Sequence, residues 1–175
     1  MRGSIGAIAI AFLALSAAAA VEGQEAADKY VLLATERTAT MQREIDNAAA
    51  KGFRAFGASP NDSSEVIVLL EKSNDKYQYR LLAATRVGTL QREISDAAGD
   101  GYHIVPRAVT RKGDELLVLM EKGPDGQARS QYQVLATELT GTLQKEITRA
   151  SNDGFDLIAV AKTGEHIAIL ERRAP

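Results

Sequence analysis

The 175-residue chain contains no cysteine and no tryptophan, and aromatic residues make up only 5% of it. Without cysteine, disulfides, thiolate metal sites, cysteine nucleophiles and a lipidated cysteine at a signal cleavage point are excluded. The two histidines, His103 and His166, have no partner at a motif spacing. We therefore expect no metal and no cofactor. His103 is predicted to face solvent on a strand, and His166 is predicted to be partly buried.

Catalytic motifs are also missing. The sequence has no Gly-x-Ser-x-Gly elbow, no His-Glu-x-x-His pair and no phosphate-binding glycine loop. The formal net charge is −2, and basic residues are not concentrated in any part of the chain. Because a phosphate backbone is bound by clustered Lys and Arg, we expect no nucleic-acid partner. These absences predict a protein that is not an enzyme.

The N-terminus is typical of a secretory signal. Arg2 precedes an uncharged run from Ile5 to Leu15, and the small residues Ser-Ala-Ala-Ala-Ala follow. We predict a signal peptide over residues 1–20, cleavage after Ala20 and a short extension over 21–28, with a second candidate cleavage site after Gly23. The alternative is an uncleaved membrane anchor, for which this run is only marginally long enough. The protein is thus expected to be periplasmic or secreted, with no stable membrane insertion after cleavage.

The remaining chain contains three copies of one segment, which we divide into repeat 1 (29–76), repeat 2 (77–130) and repeat 3 (131–175). Each copy opens with Tyr-x-Leu/Val-Leu-Ala and continues with Thr-x-Gln-basic-Glu-Ile, then Gly-aromatic. Each ends with an apolar run closed by an acid and a base. The matched positions are Tyr30, Tyr79 and Tyr132; Gly52, Gly101 and Gly154; and Lys72, Lys122 and Arg172.

Residue types assign a structure to each part of a copy. The opening apolar stretch predicts a strand, and Thr40, Thr89 and Thr142 are predicted helix N-caps. A stripe at helical spacing follows, with Met41, Ile45, Ala48 and Ala49 in repeat 1. The glycine after each helix is predicted to adopt a positive φ at the helix end. The aromatic after it begins a second strand, and a turn such as Pro60-Asn61-Asp62 leads to a third.

These elements predict an α+β fold of three tandem β-α-β-β repeats, with small antiparallel or mixed sheets that each carry one helix. The third strands are apolar at consecutive positions, which predicts burial on both faces. We expect the sheets of sister copies to pack back to back in a single pseudo-symmetric domain, since one copy is too small to hold a core alone. A closed threefold and an open stack both remain open. The charges that end each third strand are expected to guard exposed strand edges.

Polar residues at each helix start form the candidate site. Gln and Glu border the apolar stripe on opposite sides, where they would contact a ligand or a neighbouring repeat. One hypothesis is a shared pocket; the other, which we favour, is a role in folding, since all three copies carry these residues. The candidate ligand or inter-repeat contacts are Thr40, Gln42, Glu44, Thr89, Gln91, Glu93, Thr142, Gln144 and Glu146.

Each copy resembles short bacterial domains of unknown function that have a strand-helix-strand-strand layout and a Gly-Trp signature. The resemblance covers about 45 residues per copy; Gly52-Phe53, Gly101-Tyr102 and Gly154-Phe155 stand in place of Gly-Trp. It implies the fold and no site. The order of elements is also similar to that of dodecin flavin-storage proteins, but a similar order of elements does not predict flavin binding.

Two functions follow from the sequence. The favoured hypothesis is an exported, non-catalytic binding or scaffold protein whose partner is an unknown protein or small ligand. The alternative is a small-ligand binder or hydrolase that uses the repeated Gln and Glu groups. A homodimer is compatible with both, because exposed strand edges can pair between chains.

Overall fold

The computed structural model describes residues 28–59, 65–124 and 129–173. The predicted signal peptide, its cleavage sites and the Pro60-Asn61-Asp62 turn lie outside the described residues. No helix in the described ranges is long and apolar enough to cross a membrane. The elements are β1 (Tyr30–Thr35), α1 (Thr38–Ala50), β2 (Phe53–Ser59), β3 (Val66–Lys72), β4 (Gln78–Ala84), α2 (Val87–Gly99), β5 (His103–Lys112), β6 (Glu115–Lys122), β7 (Ser130–Thr137), α3 (Thr140–Asn152), β8 (Asp156–Lys162) and β9 (His166–Arg173).

The predicted fold class is confirmed: the protein is α+β, with three strand-helix-strand-strand repeats. Each repeat forms a three-stranded antiparallel sheet, in the orders β1-β3-β2, β4-β6-β5 and β7-β9-β8. The third strand of every repeat is therefore central. The expectation that its terminal charges guard a strand edge is wrong, because both edges of that strand are already paired.

The helix starts differ from the prediction. Each helix begins two residues before the threonine that was expected to cap it, so Thr40, Thr89 and Thr142 lie inside the first turn. The capping residues make no side-chain cap bond. In repeat 1, the Thr35 hydroxyl instead accepts the N–H of Arg37 at 3.3 Å, just ahead of the helix. This hydrogen bond forms a turn before the helix, so the helix begins earlier in the chain than predicted.

The predicted helix stops are confirmed. Gly52, Gly101 and Gly154 have φ values of 80°, 86° and 84°, which only glycine adopts without a Cβ penalty. The N–H of each glycine donates to a carbonyl of the last helical turn. The reversal brings the following aromatic directly into the second strand.

Layers of sheet and helix alternate along the molecule. Helix α1 packs between its own sheet and the second sheet, with Met41 and Ile45 in a core that also contains Leu117 and Leu119 of β6. Helix α2 lies in the same way between the second and third sheets. Helix α3 covers the remaining face of the third sheet. The protein is thus an open stack.

Sister sheets contact each other, but they pack in series and not back to back as expected. The face of each later sheet that lies away from its own helix is covered by the helix and the second strand of the preceding repeat, so that Ala55 of β2 shares a core with Val105 and Ala108 of β5. Alanines at the helix surface, such as Ala48 and Ala49, let one helix approach two sheets at once. A single helix therefore packs against two sheets.

Burial of the third strands follows from this order. Residues Leu116–Met120 of β6 and Ile167–Leu170 of β9 are all buried, as predicted. In β3, burial alternates instead: Val66, Val68 and Leu70 are buried, whereas Ile67 and Leu69 are only half-buried. No preceding helix is present among the described residues to cover the first sheet.

Candidate functional site: the junctions between repeats

The repeated glutamines join one repeat to the next. Gln42 donates from Nε2 to the carbonyl of Tyr79 at 3.1 Å and accepts the N–H of Leu81 at Oε1 at 2.6 Å. Both backbone groups belong to β4, an edge strand, so the amide occupies hydrogen-bonding groups that would otherwise remain open. The equivalent contacts at the second junction, at 2.9 and 2.7 Å, involve Gln91, Tyr132 and Val134.

The repeated tyrosines make the second contact of each junction. Tyr79, which is 4% exposed, accepts the N–H of Ala55 at its hydroxyl at 2.8 Å. Tyr132 accepts the N–H of Ile104 in the same way at 3.2 Å. Burial raises the pKa of both phenols, that of Tyr132 to about 12. Tyrosine and glutamine thus both hold the start of the strand, the glutamine through its backbone and the tyrosine through its own side chain.

A buried glutamate completes the first junction. Glu121 receives the Arg54 guanidinium in a bidentate pair, with distances of 3.2 Å from Nε and 2.6 Å from the terminal nitrogen. The hydrogen bonds to Glu121 raise the pKa of Arg54, so the cation is permanent. The guanidinium also lies over the ring of Tyr77, 4.4 Å from its centroid.

The second junction satisfies the matching glutamate without an arginine from the preceding repeat. Glu171 accepts hydrogen bonds from Ser130 at 2.7 Å and Tyr132 at 2.9 Å, and Arg173 approaches at 3.2 Å. Burial opposes ionisation, but these donors lower the pKa of Glu171. His103 takes the position of Arg54, and burial lowers its pKa. The expectation that His103 faces solvent is wrong, since the second junction covers it; His166 is partly buried, as predicted.

Ser130, His103 and Glu171 contain the residue types of a hydrolytic triad, but their geometry differs from one. In such a triad the histidine lies between the serine and the carboxylate. Here the Ser130 hydroxyl donates to the carboxylate directly, and the same histidine nitrogen, Nδ1, lies 3.2 Å from Ser130 and 3.9 Å from Glu171. His103 Nε2 is buried without a hydrogen-bond partner. The cluster therefore binds two repeats together rather than presenting a nucleophile.

The basic residue that ends each third strand caps a helix, a role that the sequence analysis missed. Lys72 donates to the carbonyl of Lys51 at 2.8 Å, and its ammonium lies 4.5 Å from the centroid of the Phe53 ring. Its presence in all three copies was the available signal. The corresponding donor and acceptor pairs are Lys122 with Asp100 and Arg172 with Asp153.

The nine predicted site residues separate into different environments. Gln42 and Gln91 are the inter-repeat contacts just described, whereas Gln144 is exposed and donates to Thr148 in its own helix at 3.4 Å. Thr40 accepts from Arg43 of its own helix at 3.5 Å. The three glutamates do not converge, because α1, α2 and α3 lie in separate layers. These glutamates are Glu44 in α1, Glu93 in α2 and Glu146 in α3. The two remaining threonines, Thr89 and Thr142, lie in the first turns of α2 and α3.

Open grooves follow both junctions. One, of about 560 Å³, runs between the start of α2 and the third sheet and is lined by Arg86, Glu146 and Glu165 among others. The other, of about 580 Å³, lies between α1 and the start of repeat 2 and includes Asp46, Tyr77 and Tyr102. No group of three metal-ligating side chains occurs within residues 28–59, 65–124 and 129–173.

Exposed apolar side chains lie mainly at the two ends of the stack. Tyr30 and Leu32 are 49% and 64% exposed on the uncovered face of the first sheet, which also carries Ile67 and Leu69; we call it the open sheet face. At the other end, the terminal helix face comprises Leu139, Leu143, Ile147, Leu157 and Val160 of α3, β8 and the residue before α3.

No family model matches the chain, and neither a curated protein nor a solved structure is significantly similar to it. The resemblance to the Gly-Trp domains therefore stays a prediction.

Proposed function

We propose that the protein is an exported, non-catalytic scaffold that binds another polypeptide through the apolar surfaces at the ends of its stack. The observation that carries this proposal is where the apolar surface remains. Of the six large apolar side chains that are exposed among the described residues, Tyr30 and Leu32 lie at one end and Leu139, Leu157 and Val160 at the other, whereas Phe56 lies beside Arg107 at the first junction. Contiguous apolar surface of this kind is typical of protein-binding sites.

The polar residues support the same function. Gln42, Gln91, Tyr79 and Tyr132 are engaged in holding repeats together. The most triad-like cluster, around Glu171, has a serine that is 5% exposed. These contacts favour binding over hydrolysis.

A photo-cross-linking amino acid at position 32 tests the proposal in cells that express the full chain. We expect a discrete cross-linked polypeptide from position 32 and from position 160, and none from position 92, where Arg92 is exposed on the side of the stack. Absence of cross-links from both ends would contradict scaffold function. N-terminal sequencing of the exported fraction is expected to give Val21; a mature protein that retains Met1 would contradict the signal peptide.

The second candidate function is binding of a small polar ligand in the groove of the second junction. Arg86 supplies a cation there, and Glu146 and Glu165 supply acceptors. This function predicts that Glu146→Gln abolishes binding of a ligand that the folded wild type retains. The scaffold function predicts no such loss.

A further inference from the structure

We propose that the partner of this scaffold is a second copy of the same chain, bound head to tail, with the terminal helix face of one copy on the open sheet face of the next. This rests on the proposed function, because it names the polypeptide that the scaffold binds. The two internal junctions provide the template, since each joins a helix of one repeat to the far face of the next sheet.

Both halves of that template persist at the ends. Tyr30 occupies the position of Tyr79 and Tyr132, yet it is 49% exposed, whereas they are 4% and 7% exposed. Gln144 occupies the position of Gln42 and Gln91 and is exposed. End repeats of a stacked protein usually carry polar capping surfaces, so residues specific to a junction indicate that both ends enter one.

Equivalent positions in the internal junctions predict the polar contacts between two copies. The Gln144 amide would bond the Tyr30 carbonyl and the Leu32 N–H of the next copy, as Gln42 bonds Tyr79 and Leu81. The Tyr30 hydroxyl would accept the N–H of Leu157, as Tyr79 accepts that of Ala55. Since β1 is an edge strand, its outward backbone groups are open to this contact.

The apolar contacts match as well. Leu157 and Val160 occupy the positions of Ala55 and Ala58, which pack in or against the core of the first junction. Leu143 and Ile147 are half-buried, whereas their counterparts Leu90 and Ile94 are 1% and 0% exposed. A second copy would cover these side chains as the next repeat covers their counterparts.

One position opposes the contact. Asp156 stands where Arg54 and His103 stand, so at the intermolecular junction it faces Glu71 where Arg54 faces Glu121. Two carboxylates in one junction repel each other. The association is therefore weaker than the internal junctions, and Asp156→Arg restores the charge pairing of the first junction.

The interface is heterologous, since two different surfaces meet. Such a contact continues into chains or closes into rings, and two complementary variants can distinguish it from a twofold dimer. Leu32→Asp blocks only the open sheet face, and Val160→Asp blocks only the terminal helix face. Both side chains are about two-thirds exposed, at 64% and 65%, so the folded monomer tolerates each change.

Sedimentation velocity over a range of concentrations of the full mature chain tests the proposal. We expect the wild type to associate beyond a dimer, either blocked variant to be monomeric, and their mixture to form a one-to-one dimer and nothing larger. Asp156→Arg is expected to associate at roughly tenfold lower concentration, and the control Arg92→Asp to behave as the wild type.

Several results would overturn the inference: a wild type that is monomeric throughout, an oligomer formed by Asp156→Arg alone, or a mixture of blocked variants that stays monomeric. A cross-link from position 32 to a different polypeptide, with a monomeric wild type, would overturn the second copy as partner and leave the scaffold function standing. Absence of any cross-link at either end would remove both.

Discussion

The first and second junctions join equivalent surfaces but treat one buried glutamate differently. At the first junction, Glu121 pairs with Arg54, whose side chain remains 40% exposed, and the Tyr79 hydroxyl lies farther away, at 3.5 Å. At the second, Glu171 is held by the hydroxyls of Ser130 and Tyr132, next to a buried histidine. The tyrosine and glutamine contacts are the same in both. The difference shows that these two residues define the junction, whereas the partner of the glutamate can vary as long as its charge is satisfied.

Replacement of Glu121 or Glu171 should lower the stability of the protein most, and by different amounts at the two junctions. We expect Glu171→Ala to lower the free energy of unfolding by about 3 kcal/mol, because it leaves two buried hydroxyls without their acceptor. Glu121→Ala should cost about 2 kcal/mol, since the half-exposed Arg54 can be hydrated and the Tyr79 hydroxyl loses only a long contact of 3.5 Å. Urea unfolding monitored by circular dichroism measures both.

The matched control is Glu71→Ala, at the same position on the open sheet face. It should cost less than about 1 kcal/mol, because Glu71 borders an open groove beside Arg54 and is only half-buried there. A loss at Glu71 as large as that at Glu171 would show that the glutamate stabilises its own sheet rather than a junction.

The glutamine contacts should give an intermediate effect that is equal at the two junctions. Gln42→Ala and Gln91→Ala should each cost about 1.5 kcal/mol, because each removes two hydrogen bonds to an edge strand. Gln144→Ala should change the stability of the monomer by less than about 0.5 kcal/mol. Thermal and urea unfolding at a concentration where the chain is monomeric compare the three variants; a large loss for Gln144→Ala would contradict the junction role.

The smallest effect should be a dependence on pH that only the second junction shows. Burial lowers the pKa of His103 below its ordinary 6.5, so the unfolded chain binds the proton first. This contribution to stability is therefore complete above that value and is lost as the pH falls through the lowered pKa of the folded state. Glu171 and Glu121 oppose the shift and Arg173 reinforces it.

Unfolding midpoints between about pH 7.5 and pH 5 measure this slope. His103→Asn should flatten it, and the control Arg54→Lys should retain it, because neither cation at position 54 titrates in that window. An unchanged slope in His103→Asn would assign the dependence to other groups.

Local features were predictable from the sequence where one residue type has one physical use. A glycine after a helical stripe requires a positive φ, and Gly52, Gly101 and Gly154 have it. The threonine caps failed because Thr35 offers a competing turn before the first helix. Local chemistry decided both the helix ends and the helix starts. Only glycine adopts the positive φ at the helix end without strain, whereas more than one residue can form the turn before the helix.

Packing between repeats was not predictable in the same way. The stripe of Met41, Ile45 and the alanines indicates that α1 is buried, and burial against one sheet or two gives the same pattern. The inter-repeat role of Gln42 was one of two open alternatives. Its partner groups are backbone atoms of β4, which no side-chain pattern reveals, and the helix-capping role of Lys72 was hidden for the same reason.

The open stack also makes the number of repeats a variable. Each layer contacts only its neighbours, so without repeat 2 the α1 surface would meet the third sheet, with Gln42 against Tyr132 and Arg54 against Glu171. Each pair of residues at that new boundary has the same chemistry as a pair at one of the present junctions. A gene that duplicates or loses one copy therefore changes the length of the protein while each remaining boundary stays compatible, which gives this architecture a simple route by which to grow.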